Sequence, residues 1–539
     1  MLDQAMDALG EEIVRWAARC HPDYATYIGI HDYDQMLPDA SMAAFKEEIR
    51  QLKEFLSRLE TMKPGELSPD RRIDRQCLSR SIQLNLFEAE VLKTSESYPF
   101  APGDFGSSIM LLFDREFAPL PDRLHCISSR FAAAPSFLED AKERMISPVK
   151  MWVDIGIESC VRLPGMLKLV EGVAKENLSP SESADLADAS AKAGEALAAH
   201  GKWLKETMRP KAKDVIGIGS RNFDRLIKLR GLGITTDQIY SLGKKYLEEG
   251  KRQLKAVAGQ VKPGATVEEA RDIVQSKHPK DFPEALSMTV KAMNEAKEFV
   301  KRKDLATFPE NEELKVIETP QYLRHVMPIA AYMPSAPFDP VQQGVYMVTP
   351  VDKSSDELKK HSYAKTWITA VHEGYPGHHL HNSCAASNPS AARKYQWSIE
   401  TVEGWALYCE EMMMENGFHD EPETRFSQTQ DLIWRACRVI IDVDLHCGKM
   451  TFDQAVDMLV NEAGLDKSSA TAEIKRYTYS PAYPLSYLLG KHMIKDLKGN
   501  ARKDWGAKYS DKRFHDTFLR AGLIPMDLIR EVFEQKEGA

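Results

Sequence analysis

The sequence predicts a mainly helical protein that carries one small β-sheet. Three observations predict it. Apolar residues recur three and four positions apart over most of the 539 residues. Clusters of Pro, Gly, Ser and Asp punctuate that pattern at helix-like intervals. One stretch, 306–352, breaks the rhythm with prolines and β-branched residues.

The elements follow in order. Over 1–62, Ile13, Trp16 and Ala17, then Phe45, Ile49, Leu52, Phe55 and Leu56, keep a helical period. Lys63-Pro64-Gly65 ends that segment, and Ser68-Pro69 opens a helix over about 69–96. Helices are predicted at 119–147 and 150–175, and a Ser/Asp-rich stretch at 177–189 opens another to about 208. Thr235-Thr236-Asp237-Gln238 reads as a cap for a helix over 236–258. Pro279 and Pro283 precede one at 282–303. From Pro309 to Pro350 seven prolines, Pro328 among them, exclude a long helix. Leu314–Thr319 and Gly344–Thr349 read as strands. Helices return at 356–375, 391–415, 424–449, 451–463, 467–477, 484–498 and 511–536. No repeat of fixed period is present, which argues against a solenoid.

Composition narrows the function. Hydrophobic residues make up 43% and charged residues 28%, enough for a large core and unlike a disordered chain. The net charge is −9 with no basic block, so phosphate-led nucleic-acid binding is not expected. No apolar run approaches the ~18 residues of a membrane span. The first residues carry Asp3, Asp7, Glu11 and Glu12, unlike a secretory signal, so a cytoplasmic location is expected. Eight scattered cysteines form no Cys-x-x-Cys pair, and buried free thiols are expected. A metal in this chain would be held by His and carboxylate.

The chemistry gathers at Val371-His372-Glu373-Gly374-Tyr375-Pro376-Gly377-His378-His379-Leu380-His381. A His-Glu pair followed by another His is the logic of a zinc hydrolase: two imidazoles hold the metal and the Glu polarises water. The usual second His stands four residues on, and here that position is Pro376. On a straight helix His378 would be rotated about 240° from His372, and His379 would sit ~10.5 Å up the axis. A bulge at Gly374–Gly377 that absorbs two residues would bring His378 to the usual place, with His379 the alternative. A His-rich helix end capping carbonyls is the bland reading.

A third ligand stands on the next helix. Glu403 lies among Val402, Trp405, Ala406 and Leu407, where a lone carboxylate is costly unless neutralised. Glu400, one turn earlier, is the competing ligand or a partner to a ligating His. Glu410 and Glu411 read as solvated or paired, Glu410 also as a His partner. Four tyrosines within Tyr477–Tyr487, spaced by Pro, suit hydroxyl donors to an oxyanion: Tyr477, Tyr483 and Tyr487 are the candidates. Arg435 and Arg476 could clamp a substrate carboxylate, or form structural ion pairs. Phe514-His515-Asp516 reads as a His–Asp hydrogen bond stabilising the last helices. Ser486 lacks a nucleophile elbow.

At these residues the chain resembles the family catalogued as domain of unknown function 885, related to gluzincin metallopeptidases. The matching segments are His372-Glu373-Gly-Tyr-Pro376-Gly377-His378-His379, Glu403-Gly-Trp-Ala-Leu-Tyr408, Arg476-Tyr477 with Ser486-Tyr487 and Gly490, and Phe514-His515. Phe223-Asp224 and Leu242-Gly243 extend the likeness over most of the chain. The site is also similar to that of thimet oligopeptidases, once two residues are inserted before the second His. There Val402-Glu403 matches the third ligand, and Tyr483 and Tyr487 the late tyrosines. The resemblance implies a bilobed helical shell around a deep channel, with the sheet beside the active-site helix. It further implies that an edge strand such as Gly344–Thr349 holds a peptide backbone.

The expectation is a zinc-dependent peptidase of short peptides or related amides. His372, His378 and Glu403 bind Zn²⁺, Glu373 is the base, and Tyr487 with Tyr483 or Tyr477 steadies the oxyanion. The alternatives are a member with a structural metal or ligand pocket, and a hydrolase of a non-peptide amide. A single catalytic unit over 1–539 is expected, with a helical wall region at 1–305 and the sheet and metal helices at 306–539.

Overall fold

The computed structural model describes residues 2–321, 324, 327, 330–351 and 356–537. Met1 and Pro328 lie outside them. Among the described residues the chain is 74% helical with one three-stranded sheet, so the mainly α fold is as predicted. It forms two compact units, Met1–Gly217 and Ile218–Ala539. No described helix is long and apolar enough to cross a membrane.

The first unit is built from long amphipathic helices. Leu2–Cys20, Met42–Thr61, Pro69–Phe87, Leu120–Asp140, Lys150–Asn177 and Pro180–Trp203 lie where the periodicity puts them. Ser179 and Glu182 close a capping box at the start of the last. Phe100–Asp114 is a helix that the pattern does not predict, because Pro102, Gly103 and Gly106 all argue against one. Gly106 is there for packing: a Cβ would come within 2.5 Å of Leu163 on the Lys150–Asn177 helix.

The second unit carries the sheet and every residue singled out for chemistry. Thr235 and Gln238 form the predicted capping box at the head of the helix Thr236–Val261. That helix packs on Pro422–His446, and Gly243 and Gly250 permit the approach: a Cβ on either would meet Val439 or Ile433 at 2.9 Å. The helices Ser220–Leu229 and Val267–Ser276 were not predicted. The sheet consists of β1 (Glu312–Glu318), β2 (Ala330–Met333) and β3 (Gln342–Val348), in the order β1-β3-β2. β1 runs parallel to β3, with Leu314 opposite Gly344, and β2 runs antiparallel, with Tyr332 opposite Tyr346.

Three expectations are corrected here. β3 is the central strand with both edges paired, so Gly344–Thr349 has no free edge to offer; the outer strands are β1 and β2. The segment 511–536 is two helices, Asp511–Ala521 and Met526–Glu537, divided at Gly522 with φ 94°. His515 does not bond Asp516. Its Nδ1 donates to Leu305 O at 2.7 Å and its Nε2 accepts from Tyr408 at 2.9 Å, while Asp516 accepts from the Thr307 amide at 2.7 Å. Both residues thus fasten the last helices to the segment before β1.

Buried histidines make this unit sensitive to acid. Burial pushes His515 down to about 4, and His446, which donates to Tyr477 O at 3.0 Å, also to about 4. An unfolded histidine titrates near ~6.5, so between those values the unfolded state binds more protons. Stability is therefore full above pH ~6.5 and falls as pH drops toward 4, by about 2 kcal/mol per histidine at pH 5. Melting temperature should fall steadily from pH 7 to pH 5, and a flat profile would contradict the assignment.

Candidate metal centre

The helix Tyr363–Thr369 widens into a π turn over Ala370–Gly374, which carries His372 and Glu373. The Tyr375–Pro376 peptide is cis, and Gly377 N–H donates back to Val371 O at 3.0 Å. A new helix, His378–Ala386, starts at once. The predicted continuous helix over 356–375 is thus a short helix, a wide turn and a break. The extra residues are absorbed by the turn and the break together. Gly377 is obligatory, since a Cβ there would lie 2.0 Å from His372 O. Trp405 Nε1 donates to Pro376 O at 2.7 Å and ties this loop to the next helix, Ile399–Glu415.

The structure brings His372, His378 and Glu403 together, with one ligand atom of each within 4.8 Å of the others. Glu403 Oε2 lies 3.3 Å from His378 Nε2 and 3.8 Å from His372 Nε2. His372 Nε2 is too far to hydrogen-bond that buried oxygen and His378 Nε2 is poorly aligned with it, so the oxygen makes no hydrogen bond. Tetrahedral donors bound at ~2.1 Å stand about 3.4 Å apart, close to these spacings. Two imidazoles and a carboxylate suit Zn²⁺. The orphaned oxygen and the donor set therefore fit a zinc ion.

The electrostatics agree. Burial opposes the charge on Glu403, but His378 and His372 hold its carboxyl well below the usual range. Burial likewise opposes charge on His372, yet Glu403, Glu410 and Glu373 pull it up to about 10. Three carboxylates, Glu373, Glu403 and Glu410, thus act on His372. Glu410 accepts from His372 Nδ1 at 2.8 Å and so aims Nε2 at Glu403. Glu373 is half-buried on the same turn. Its charge acts on His372 and on Tyr346 of β3, whose phenol it helps burial to push up.

Two glycines set the other wall. Ile399–Glu415 crosses Ser486–Trp505 where Gly404 faces Gly490. A Cβ on Gly404 would lie 2.5 Å from the Gly490 backbone, and one on Gly490 would lie 2.1 Å from Glu400 O. This contact delivers the tyrosines. Tyr483 OH reaches Glu403 Oε1 at 3.4 Å and Tyr487 OH at 3.2 Å. The turn that carries Tyr483 contains Ala482 at φ 63°, a left-handed conformation costly without glycine. Asp442 holds it by accepting from Ala482 N and Leu485 N, both at 3.0 Å. Arg230 donates to Ala482 O at 2.6 Å and pairs with Glu400 at 2.8 Å.

Other candidates are spent elsewhere. His379, fully buried, bonds Glu312 of β1 at 2.9 Å and Tyr332 of β2 at 3.2 Å, so neither ring nitrogen is free for a metal. Glu400 pairs with Arg230 and is not among the three converging groups. Tyr477 donates to Glu473 at 2.7 Å under the guanidinium of Arg438, which leaves Tyr483 and Tyr487 as the hydroxyls near Glu403. Arg476 also pairs with Glu473, at 2.8 Å; Arg435 reaches Asp431 through Nη1 at 3.5 Å and leaves its Nε without a hydrogen-bond partner. Glu411 is held by Lys491 and Lys495. Sequence reading had no hold on Arg230, Asp442 or Arg438. A cavity of about 640 Å³ opens beside the π turn, lined by Tyr346, Thr369, Ala370, Asp431, Trp434 and Glu473.

Comparisons with known proteins address the family and the fold. Residues 22–532 match the family model described as "Bacterial protein of unknown function (DUF885)". A solved structure described as a "putative lipoprotein of unknown function" from Shewanella oneidensis is similar, with a TM-score of 0.79 and 22% identity. That match covers 97% of this chain and 98% of the other. Another, described as the "putative lipoprotein" from Colwellia psychrerythraea, has a TM-score of 0.85 and 19% identity, over 100% and 99% of the two chains. At these identities the likeness shows the fold. No curated protein matches.

Proposed function

The chain belongs to the DUF885 family, and from that premise we propose that it is a zinc-dependent metallohydrolase that cleaves amide bonds of short peptides, with a gluzincin-like centre akin to that of thimet oligopeptidases. One observation carries the reading: His372, His378 and Glu403 converge around an unpartnered carboxylate oxygen, with Glu373 beside them in the same turn.

Zinc, when bound, supplies Lewis acidity to a water and to the substrate carbonyl. The chain's own residues do the rest. His372, His378 and Glu403 hold the ion, and Glu410 keeps the His372 ring in place. Glu373 takes the proton of the attacking water and returns it to the leaving amine. Tyr487 and Tyr483 donate to the oxygen that gains negative charge. β2, an outer strand whose Tyr332 stacks near His378 with ring centroids 6.5 Å apart, is the strand for an extended substrate to pair with.

The test is zinc stoichiometry followed by a dipeptide library with and without chelator. One zinc per chain and chelator-sensitive hydrolysis are expected. Zinc without such hydrolysis would favour a structural metal or a non-peptide amide substrate. Glu403→Ala should lose most of its metal while Glu400→Gln keeps it. Full occupancy in Glu403→Ala would break the ligand assignment. The wording of the two similar structures favours an envelope location over the cytoplasmic one expected from the sequence, and fractionation of the native protein decides between them.

A further inference from the structure

The helix Pro422–His446 presents N–H donors that nothing among the described residues satisfies. Trp434 Nε1, Arg435 Nε, Arg438 Nε and Arg438 Nη2 are all closed off from solvent and have no acceptor. Unmade hydrogen bonds of this kind are costly, most of all on a cation. Four of them fall within five residues, and all are donors.

The groups are gathered in space as well as in sequence. Both guanidinium groups lie against the Trp434 ring, Arg435 at 4.9 Å and Arg438 at 5.6 Å from its centroid. Arg438 also lies 4.0 Å from the centroid of Tyr487, one of the hydroxyls beside Glu403. Nearby acids are already occupied. Asp431 is shared by Lys365 and Arg435, Glu473 takes Arg476 and Tyr477, and Asp442 takes two backbone amides. Arg438 is 3% exposed, and none of these ion pairs includes it. Trp434 lines the cavity beside the π turn, and Arg438 follows it by one turn on the same helix face.

We propose that Trp434, Arg435 and Arg438 form a subsite for a carboxylate of the substrate, and that this carboxylate is the free C-terminus of a short peptide. The proposal rests on the hydrolase reading above and extends it to exopeptidase specificity. A guanidinium edge recognises a carboxylate through paired N–H donors, and an indole N–H adds a third contact. The chain of contacts Arg438–Tyr487–Tyr483–Glu403 joins this subsite to the metal ligands, so an anchored C-terminus presents a nearby amide to the centre.

The experiment uses the zinc-loaded full chain and N-acetyl-trialanine as free acid and as carboxamide. Calorimetric binding and hydrolysis are both measured. The free acid should be preferred about 100-fold, the scale of losing a charge-assisted pair. Arg438→Met and Arg435→Met should reduce that preference to below about fivefold, read as the ratio of acid to carboxamide within each variant. Thermal melts check that each variant is folded, and Arg438→Lys, which keeps the charge but not the fork, should fall between. Equal binding of acid and amide by the native protein, or no binding of either, overturns the proposal and leaves the hydrolase reading standing. Selective binding of the acid without cleavage overturns the hydrolase reading and leaves the subsite. A third arm compares N-acetyl-Ala-Glu-Ala-amide with its Gln counterpart: preference for Glu as strong as for the free C-terminus overturns the terminal assignment in favour of a side-chain carboxylate.

Discussion

Glu373→Gln is expected to hold one zinc per chain and to lose at least ~10³-fold in turnover. The substitution keeps the size of the side chain and removes only its basicity. Glu373 is not among the three converging groups, His372, His378 and Glu403, so the candidate site keeps its donors. What goes is the acceptor for the water proton, and with it the donor for the leaving amine. A carboxamide can do neither at neutral pH. Metal analysis and turnover on the best substrate of the library give the result. A variant with more than a tenth of the native rate would sink the general-base role, whatever its zinc content.

The second large effect is structural. Gly490→Ala is expected to destabilise the second unit by ~3 kcal/mol or more and to weaken zinc binding with it. The added methyl would stand 2.1 Å from Glu400 O and close to Gly404 Cα, both backbone atoms that no rotamer can move aside. Relief requires the Glu403 helix and the tyrosine helix to separate, which draws Tyr483 and Tyr487 away from Glu403. Gly499→Ala is the control on the same helix, since nothing lies within 4 Å of its added Cβ. It should be neutral or stabilising by up to about 1 kcal/mol. If both variants melt together with the native protein, the close crossing is not what holds this wall.

These contrasts mark what the sequence could convey. Periodicity and caps are local, so Thr235-Gln238 announced its helix and Ser179-Glu182 headed another. Phe100–Asp114 was hidden because its glycine answers to Leu163, a neighbour known only after folding. β2 was hidden because four residues of mixed type exist as a strand only through pairing with β3. At the candidate centre, the grouping of His372, His378 and Glu403 was legible because ligand chemistry limits which side chains could serve and how they are spaced. Choosing His378 over His379 needed Glu312, far away in sequence and bonded to His379. Arg230 and Asp442 left no local sign, since each acts on a turn centred on Ala482.

That turn has an evolutionary consequence. Arg230 grips Ala482 O with one nitrogen and Glu400 with another, while Asp442 fixes the amide of the same alanine. The strained alanine is tolerable only while these hands are on it. Positions 230, 400, 442 and 482 are therefore not free to drift one at a time. A lineage that loses the arginine leaves Glu400 buried without its ion pair and frees the Tyr483 turn in a single step. Among relatives these positions should change as a set or stay fixed, with glycine at 482 as the natural first move, because it removes the strain before its restraints are given up.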